Sequence, residues 1–468
     1  METNARSDKD GGIGDESNNP RKCSEVTAAL HDKAKKSPDF RFYALYDKVY
    51  RTDVLTFAYE CCKANGGAAG VDDQTFEDIE AYGTERWLDE LTQELKSRTY
   101  RPLPVRRVFI PKPGGQQRPL GVPAIRDRTA MMAAVLVLDP IFEADLQPEQ
   151  YAYRRGRSAL DAVRHVHKLI NTGHGEIVDA DLAGFFDSLP HSELLKSVAR
   201  RVVDGAMLHL IKMWLKAPVE ETDDRGKKHR STRNRDEGRG TPQGSPISPL
   251  LSNIYLTEVD RMLERAKETT RNGKYTYVEY ARFADDLVVL IDAHPRNGWL
   301  LGAVNKCLRE EFAKLQVEIN EEKSSIVDLE HAESFGFLGF DFWRLRSMER
   351  QVWRAYYTPK MKKRTALLRK LKDVFRRFQS QPLDRVVQLI NPILRGWVNY
   401  FAVGHSSECF SFIQDWVEKK IRRHMGRSRN RSGFGWKRWS RRTLYEDLKL
   451  FNGYKVRHWA APKALPAR

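Results

Sequence analysis

Residues 277 to 293 read YVEYARFADDLVVLIDA. Two β-rich runs, YVEYARF and LVVLIDA, flank Ala284, Asp285 and Asp286, so the stretch reads as a hairpin whose tight turn carries two adjacent acids. An Asp-Asp turn taken alone is an ordinary solvated connection. The motifs that flank it, quoted below, reverse that reading. The run EIVDADLAGFFDSL, residues 176 to 189, also follows the β period, with apolar residues on both faces, which predicts a central strand. Alternation puts Asp179 and Asp181 on one face of it, so pattern alone leaves open which of them is the ligand. Spacing to the following Phe pair favours Asp181.

Working outward, an extended region, SFGFLGFDFW at 334 to 343, follows a helix near 299 to 315, and 360 to 425 reads as amphipathic helices. Upstream, 40 to 100 reads as helices interrupted by the Gly66, Gly67, Gly70 cluster. RRVFIPKPGGQQRPLGVP at 106 to 123 reads as a hairpin. Helices are expected at 128 to 146, 158 to 171 and 191 to 216. The charge-dense EETDDRGKKHRSTRNRDEGRG at 220 to 240 is expected to be an exposed loop within reach of nucleic acid. The fold class is therefore α+β, in two or three domains for 468 residues.

Composition narrows the partners. Lys and Arg total 80 against 63 Asp and Glu, but residues 360 to 468 alone hold 27 basic and 7 acidic side chains. That segment's net charge of +20 exceeds the +17 of the whole chain, so everything before it is slightly acidic. A positive field concentrated in one folded segment attracts a polyanion, and release of counterions from a phosphate backbone drives such binding. Five cysteines, at 23, 61, 62, 307 and 409, form no CxxC pair, which argues against a disulfide framework and fits a reducing cytoplasm. No run approaches the ~20 apolar residues of a membrane span. The polar first 39 residues, beginning METNARSDKDGGIGDESNN, read as a disordered leader.

Transfer of a nucleotide onto a growing strand asks for two divalent ions ~4 Å apart held by hard oxygens. Mg2+ takes few protein ligands, one or two carboxylates beside waters and phosphates, so paired aspartates facing a third are suitable. Asp181, Asp285 and Asp286 are the candidate catalytic and metal-holding residues, for two Mg2+ ions with Mn2+ able to substitute.

The chain resembles the group II intron reverse transcriptase-maturase family from about residue 40 to 425. The motifs that carry this are GVDDQTF (70 to 76), YRPLPVRRVFIPKPGGQQRPLGVPAIRDR (100 to 128), QYAYRRGRSALDAV (150 to 163), DADLAGFFDSLPH (179 to 191), GTPQGSPISPLLSNIYL (240 to 256), YARFADD (280 to 286), INEEKSS (319 to 325), FGFLGF (335 to 340) and NPILRGWVNYF (391 to 401). The resemblance implies a right-hand polymerase, with N-terminal extension and fingers at 40 to 175, palm with antiparallel sheet at 176 to 345 and helical thumb or maturase domain at 346 to 425, between the leader at 1 to 39 and a basic nucleic-acid-binding segment at 426 to 468 that composition gives. It implies that Asp181 and Asp285 ligate both metals with Asp286 beside them. It assigns Arg107, Lys112 and Arg118 to the incoming triphosphate, Phe186 to exclusion of the 2′-OH, Gln243 to the sugar or base, and Lys323 to developing charge.

The implied activity is RNA-directed DNA synthesis with a role in intron splicing and mobility. The implied partners are an RNA template, structured intron RNA, a DNA primer or target and dNTPs, with monomer and homodimer both open. Trp397, Tyr400, Phe401, Trp416, Trp436, Trp439 and Trp459, interleaved with basic residues, are candidate RNA contacts, although core packing explains Trp397 and Trp416 equally well. Two positions depart from the family pattern: Phe283 stands where Tyr is usual, and Ala183 where Lys is frequent. No zinc spacing follows Cys409, so a Cys/His nuclease is not expected. The alternatives are a non-enzymatic RNA-binding splicing cofactor, against which the intact aspartates argue, and a domesticated relative serving DNA repair or phage defence.

Overall fold

The computed structural model describes residues 20–111, 117–223, 225–346, 352–427, 435, 436 and 438–457, with side chains from residue 25 onward. It divides into two compact units, residues 1–147 with 184–257, and 148–183 with 258–468. The division cuts across the expected linear boundaries. The 150-to-163 motif, expected in the fingers, belongs with the aspartate strands, and residues 184–257 belong with the N-terminal part.

In the first unit the helix Ile125–Glu143 is buried on every face, as its run of Ala, Met, Leu and Val requires. The helices Thr52–Asn65 and Pro20–Lys36 pack against it. Pro20–Lys36 lies inside the stretch expected to be a leader to residue 39. Its apolar residues are sparse, but Leu30 and Ala34, four apart on one face, are both buried. The hairpin expected at 106 to 123 forms from Val105–Pro111 and Gln117–Val122. The expected 191-to-216 helix is two, His191–Ala199 and Gly205–Leu215. Between them, Asp204 Oδ1 accepts from the backbone N–H groups of Ala206 (3.0 Å) and Met207 (3.1 Å) and so starts the second.

The charge-dense loop is also more ordered than expected. Val219–Thr222 and Lys228–Ser231 pair antiparallel, and the first of them lies parallel to Val105–Pro111, giving a four-stranded sheet. Ion pairs replace the missing apolar signal, since Glu220 meets both Arg230 (2.9 Å) and Lys228 (3.3 Å) across the hairpin.

The second unit is built on a four-stranded antiparallel sheet in the order Ser325–Asp328, His174–Ala180, Asp286–Asp292, Val278–Phe283. The run LVVLI is buried throughout, as a strand covered on both faces must be. The helix Ala159–Asn171 starts at a Ser158–Asp161 capping box and packs on this sheet through Val163, Val166 and Ile170. A three-stranded meander, Phe335–Phe337, Phe340–Arg346 and Trp353–Pro359, shares the same core. The helices Met361–Arg377, Leu383–Phe401 and Ser407–Arg427 then form a second core around Leu371, Ile390, Leu394 and Ile421.

Of the aromatics offered as candidate RNA contacts, Trp397 and Trp416 take the core-packing alternative, and Tyr400 and Phe401 also pack in the core. Phe401 and Trp439 are buried, Trp397 packs on Phe401 at 4.4 Å, and Trp416 packs against the helical core. Trp436 remains exposed with its ring 4.0 Å from the Arg422 guanidinium, while Trp459 lies outside the described residues. Among the described residues no helix is long and apolar enough to cross a membrane.

Candidate active site

The strand Val278–Phe283 hands over to Asp286–Asp292 through Ala284 and Asp285 alone, with Phe283 paired to Asp286. Closing so tight a turn puts Ala284 at φ +59°, the left-handed region that costs an L-residue about 1–2 kcal/mol. In the neighbouring ladder Ala180 pairs with Leu287, so one step further along this register brings Asp181 opposite Asp286. The three acids expected to hold metal thus meet at one end of the central strands.

Asp181 is held by the INEEKSS segment. Its backbone N–H donates to Ser324 Oγ (3.1 Å), its carbonyl accepts from Asn320 N (2.8 Å), and Lys323 Nζ donates to its Oδ2 (3.1 Å). Asp286 opens on solvent on one side, yet the surrounding protein, and then the charges of Asp285 and Asp181, push its carboxyl up to about 6. Burial also raises Asp179 to about 7, with Lys360 opposing the rise and Asp286 and Asp181 adding to it. Carboxylates gathered this closely form a hard donor set, which fits a divalent cation.

Asp179 and Asp286 line a cleft of about 890 Å³ together with Gly336, Lys360, Lys363, Lys370 and Tyr400. Gly336 leaves room there for Lys360, whose Nζ would have to move aside for a Cβ at this position. Sequence reasoning overlooked Lys360; it stands at the junction of meander and helix, where only the tertiary fold turns it toward the acids.

A pH dependence follows from the two raised carboxyls. Both lie above their ordinary value near 4, so the folded protein binds extra protons between about pH 4 and 7. Their contribution to stability is greatest when protonated and is lost as pH rises through that window. A divalent cation needs the ionised forms, so the metal-induced rise in melting temperature should be small at pH 5 and grow toward pH 8. Melting curves with and without Mn2+ across this range check it, and a pH-independent increment would refute the assignment.

In the first unit, Arg107, Asp187, Arg239 and Gln243 line a cleft of about 430 Å³. Gln243 Nε2 donates weakly to Asp187 Oδ2 (3.4 Å), and Gln243 O accepts from Gly121 N (2.6 Å). Gly244, at φ +112°, admits no side chain, since a Cβ would lie 2.7 Å from Gly121 O. Phe186 is half-buried, its carbonyl accepting from Thr241 N (2.7 Å). Arg118 is exposed and does not line this cleft, and Lys112 lies outside the described residues. Asp187 and Arg239 went unnoticed in the sequence; Asp187, directly after the Phe pair, was the available signal.

Elsewhere in the second unit the donor atoms of Glu149, His165 and Glu279 lie within 4.8 Å of one another. Lys267 Nζ already reaches Glu149 (2.7 Å), Glu279 (3.2 Å) and Glu264 (3.4 Å), so this cluster is a buried ion-pair network with its own cation.

Comparison with known proteins places the chain in a family. Residues 110–342 match the family model described as reverse transcriptase (RNA-dependent DNA polymerase), which defines the class as a polymerase. Residues 364–445 match the maturase-specific domain of group II introns. The chain is 31% identical to protein YkfC of Escherichia coli K12 over 359 residues, 69% of this chain and 89% of YkfC. It is 30% identical to the group II intron-encoded protein LtrA of Lactococcus lactis over 245 residues, 52% of this chain but only 39% of LtrA. It is 25% identical over 181 residues to nuclear intron maturase 2, mitochondrial, of Arabidopsis thaliana, 32% of this chain and 24% of that protein. The chain belongs to the group II intron reverse transcriptase-maturase family, whose members are RNA-directed DNA polymerases that use divalent metal ions and act on nucleic acid, including intron RNA.

Proposed function

We propose that the second unit contains the palm and the helical thumb or maturase part of a right-hand polymerase, and the first the fingers with an N-terminal extension. The observation that carries this is the meeting of Asp181, Asp285 and Asp286 at one end of an antiparallel sheet, with burial, and then the charges of Asp285 and Asp181, raising Asp286 to about 6. Asp181 and Asp285 would hold two Mg2+ ions, Mn2+ substituting, and Asp286 would complete the donor set. Bound there, the metal pair would supply Lewis acidity at the primer hydroxyl and at the departing pyrophosphate.

The chain's own residues would do the rest. Lys323, which already donates to Asp181, offsets negative charge at the site. Lys360, Lys363 and Lys370 line the cleft that opens from Asp286 and would track a primer backbone by charge. By resemblance, Arg107, Lys112, Arg118 and Gln243 serve the incoming deoxynucleoside triphosphate, and Phe186 rejects a 2′-hydroxyl. The basic segment at 426 to 468 would add affinity for structured intron RNA.

The test is extension of a DNA primer on an annealed RNA template with Mg2+ and dNTPs. Wild type should extend with dNTPs and scarcely with ribonucleotides. Phe186→Val should raise ribonucleotide use about tenfold or more, since a steric filter of one side chain is worth about 1–3 kcal/mol. An inactive wild type that still binds structured RNA tightly would overturn the enzyme reading in favour of a splicing cofactor.

A further inference from the structure

We propose that Arg282, clamped by Asp260, is a positioning residue that presets the turn carrying Asp285 for metal binding. The inference rests on the metal-site reading above and assigns a role to a buried ion pair that touches neither nucleotide nor ion.

Arg282 is 1% exposed and Asp260 is fully buried, next along strand and helix to the Glu149–Lys267 network. A buried pair is weak evidence of stabilisation, because desolvating two charges offsets most of their attraction. Its geometry is more informative. Arg282 Nε donates to Asp260 Oδ1 (2.7 Å) and Nη2 to Oδ2, so the carboxylate fixes the plane of the guanidinium from one side. The remaining nitrogen, Nη1, points forward two residues and donates to the carbonyl of Ala284 (2.9 Å).

That carbonyl belongs to the peptide joining Ala284 to Asp285, and Ala284 is the residue at φ +59°. An L-residue keeps that conformation only where its surroundings impose it. The backbone of Arg282 is itself pinned on its free edge: its N–H donates to Glu149 O (2.9 Å) and its carbonyl accepts from Tyr151 N (2.9 Å). Strand, guanidinium and turn are therefore one rigid piece, and the orientation of the 284–285 peptide sets the direction in which Asp285 leaves the backbone. Only a planar fork can meet Asp260 with two nitrogens and Ala284 with a third; a lysine ammonium has one centre for all three acceptors.

The experiment uses the full-length protein and Mn2+ alone as probe, with binding followed by the loss of the free-ion paramagnetic resonance signal. The difference between wild type and Asp285→Ala defines the site. Two conservative variants, Arg282→Lys and Asp260→Glu, keep both charges but disturb the fork. Either should weaken Asp285-dependent Mn2+ binding about tenfold and lower kcat for primer extension at least as much, as loss of an outer partner does at metal sites. KM for primer-template should stay unchanged. Leu263→Ala, a cavity in the helix Ser248–Thr269 that also carries Asp260, should lower the melting temperature yet bind Mn2+ as wild type does. Normal Mn2+ affinity in whichever fork variant folds, or equal weakening by Leu263→Ala, would overturn the proposal. Absence of any Asp285-dependent Mn2+ binding in wild type would overturn the metal-site reading itself, a result distinct from either.

Discussion

Replacing Asp285 by Ala is expected to lower primer extension by on the order of 10³-fold or more while leaving the protein folded. In the proposed assignment the carboxylate is one of three hard donors at the end of the central strands, and a metal pair held there would contribute several kcal/mol to the transition state. Each ~1.4 kcal/mol lost is a factor of ten in rate. The same change relieves a repulsion, since part of the upward push on Asp286 comes from Asp285's charge. Metal-free Asp285→Ala should therefore melt no lower than wild type, with the Asp286 carboxyl below its present value, and addition of Mn2+ should no longer raise its melting temperature. A graded series is expected, with Asp181→Ala similar and Asp286→Ala milder, because the proposal gives the ions chiefly to Asp181 and Asp285 and would leave Asp286 a completing role. Extension within tenfold of wild type in Asp285→Ala would sink the assignment.

The acids were legible in the sequence because each sits in a short-range pattern. A two-residue turn between period-2 runs is a local signal, and Asp181 follows a run apolar on both faces. The register that brings Asp181 opposite Asp286 is not local; it depends on antiparallel pairing of strands about a hundred positions apart. The Arg282–Asp260 clamp was invisible for the same reason, since helix and strand packing alone brings those two side chains together. In the helical segment, periodicity marks which residues share a face but not what covers it. Periodicity thus leaves RNA contact and core packing equally open for Trp397, and offers Tyr400 and Phe401 as RNA contacts; all three pack against the FGFLGF meander and its neighbours, Tyr400 OH donating to Leu338 O at 2.8 Å.

The helical segment carries the second large expected effect. Glu418 is fully buried in the helix Ser407–Arg427, where its carboxylate accepts from Arg422 Nη1 (3.0 Å), Arg441 Nε (3.0 Å) and Tyr445 OH (2.7 Å). Arg422, 1% exposed, also donates from Nε to Trp439 O (3.0 Å), so one acid ties the helix to the chain that follows it. Glu418→Ala would leave the Arg422 charge buried without its counter-ion, and breaking such a pair from one side costs about 3–5 kcal/mol. Denaturant unfolding should register that loss, and proteolysis should cut first near residues 435 to 457, which lose their anchor. The double change Glu418→Leu with Arg422→Met removes both charges and should recover most of the stability. All four ion-pair and hydrogen-bond partners fall inside the matched maturase-specific region, residues 364–445. Structured-RNA affinity should therefore fall with the single variant and return with the double one if the fold of this region carries binding. Stability within about 1 kcal/mol of wild type for Glu418→Ala would mean that water reaches Arg422 and that the network is not the anchor.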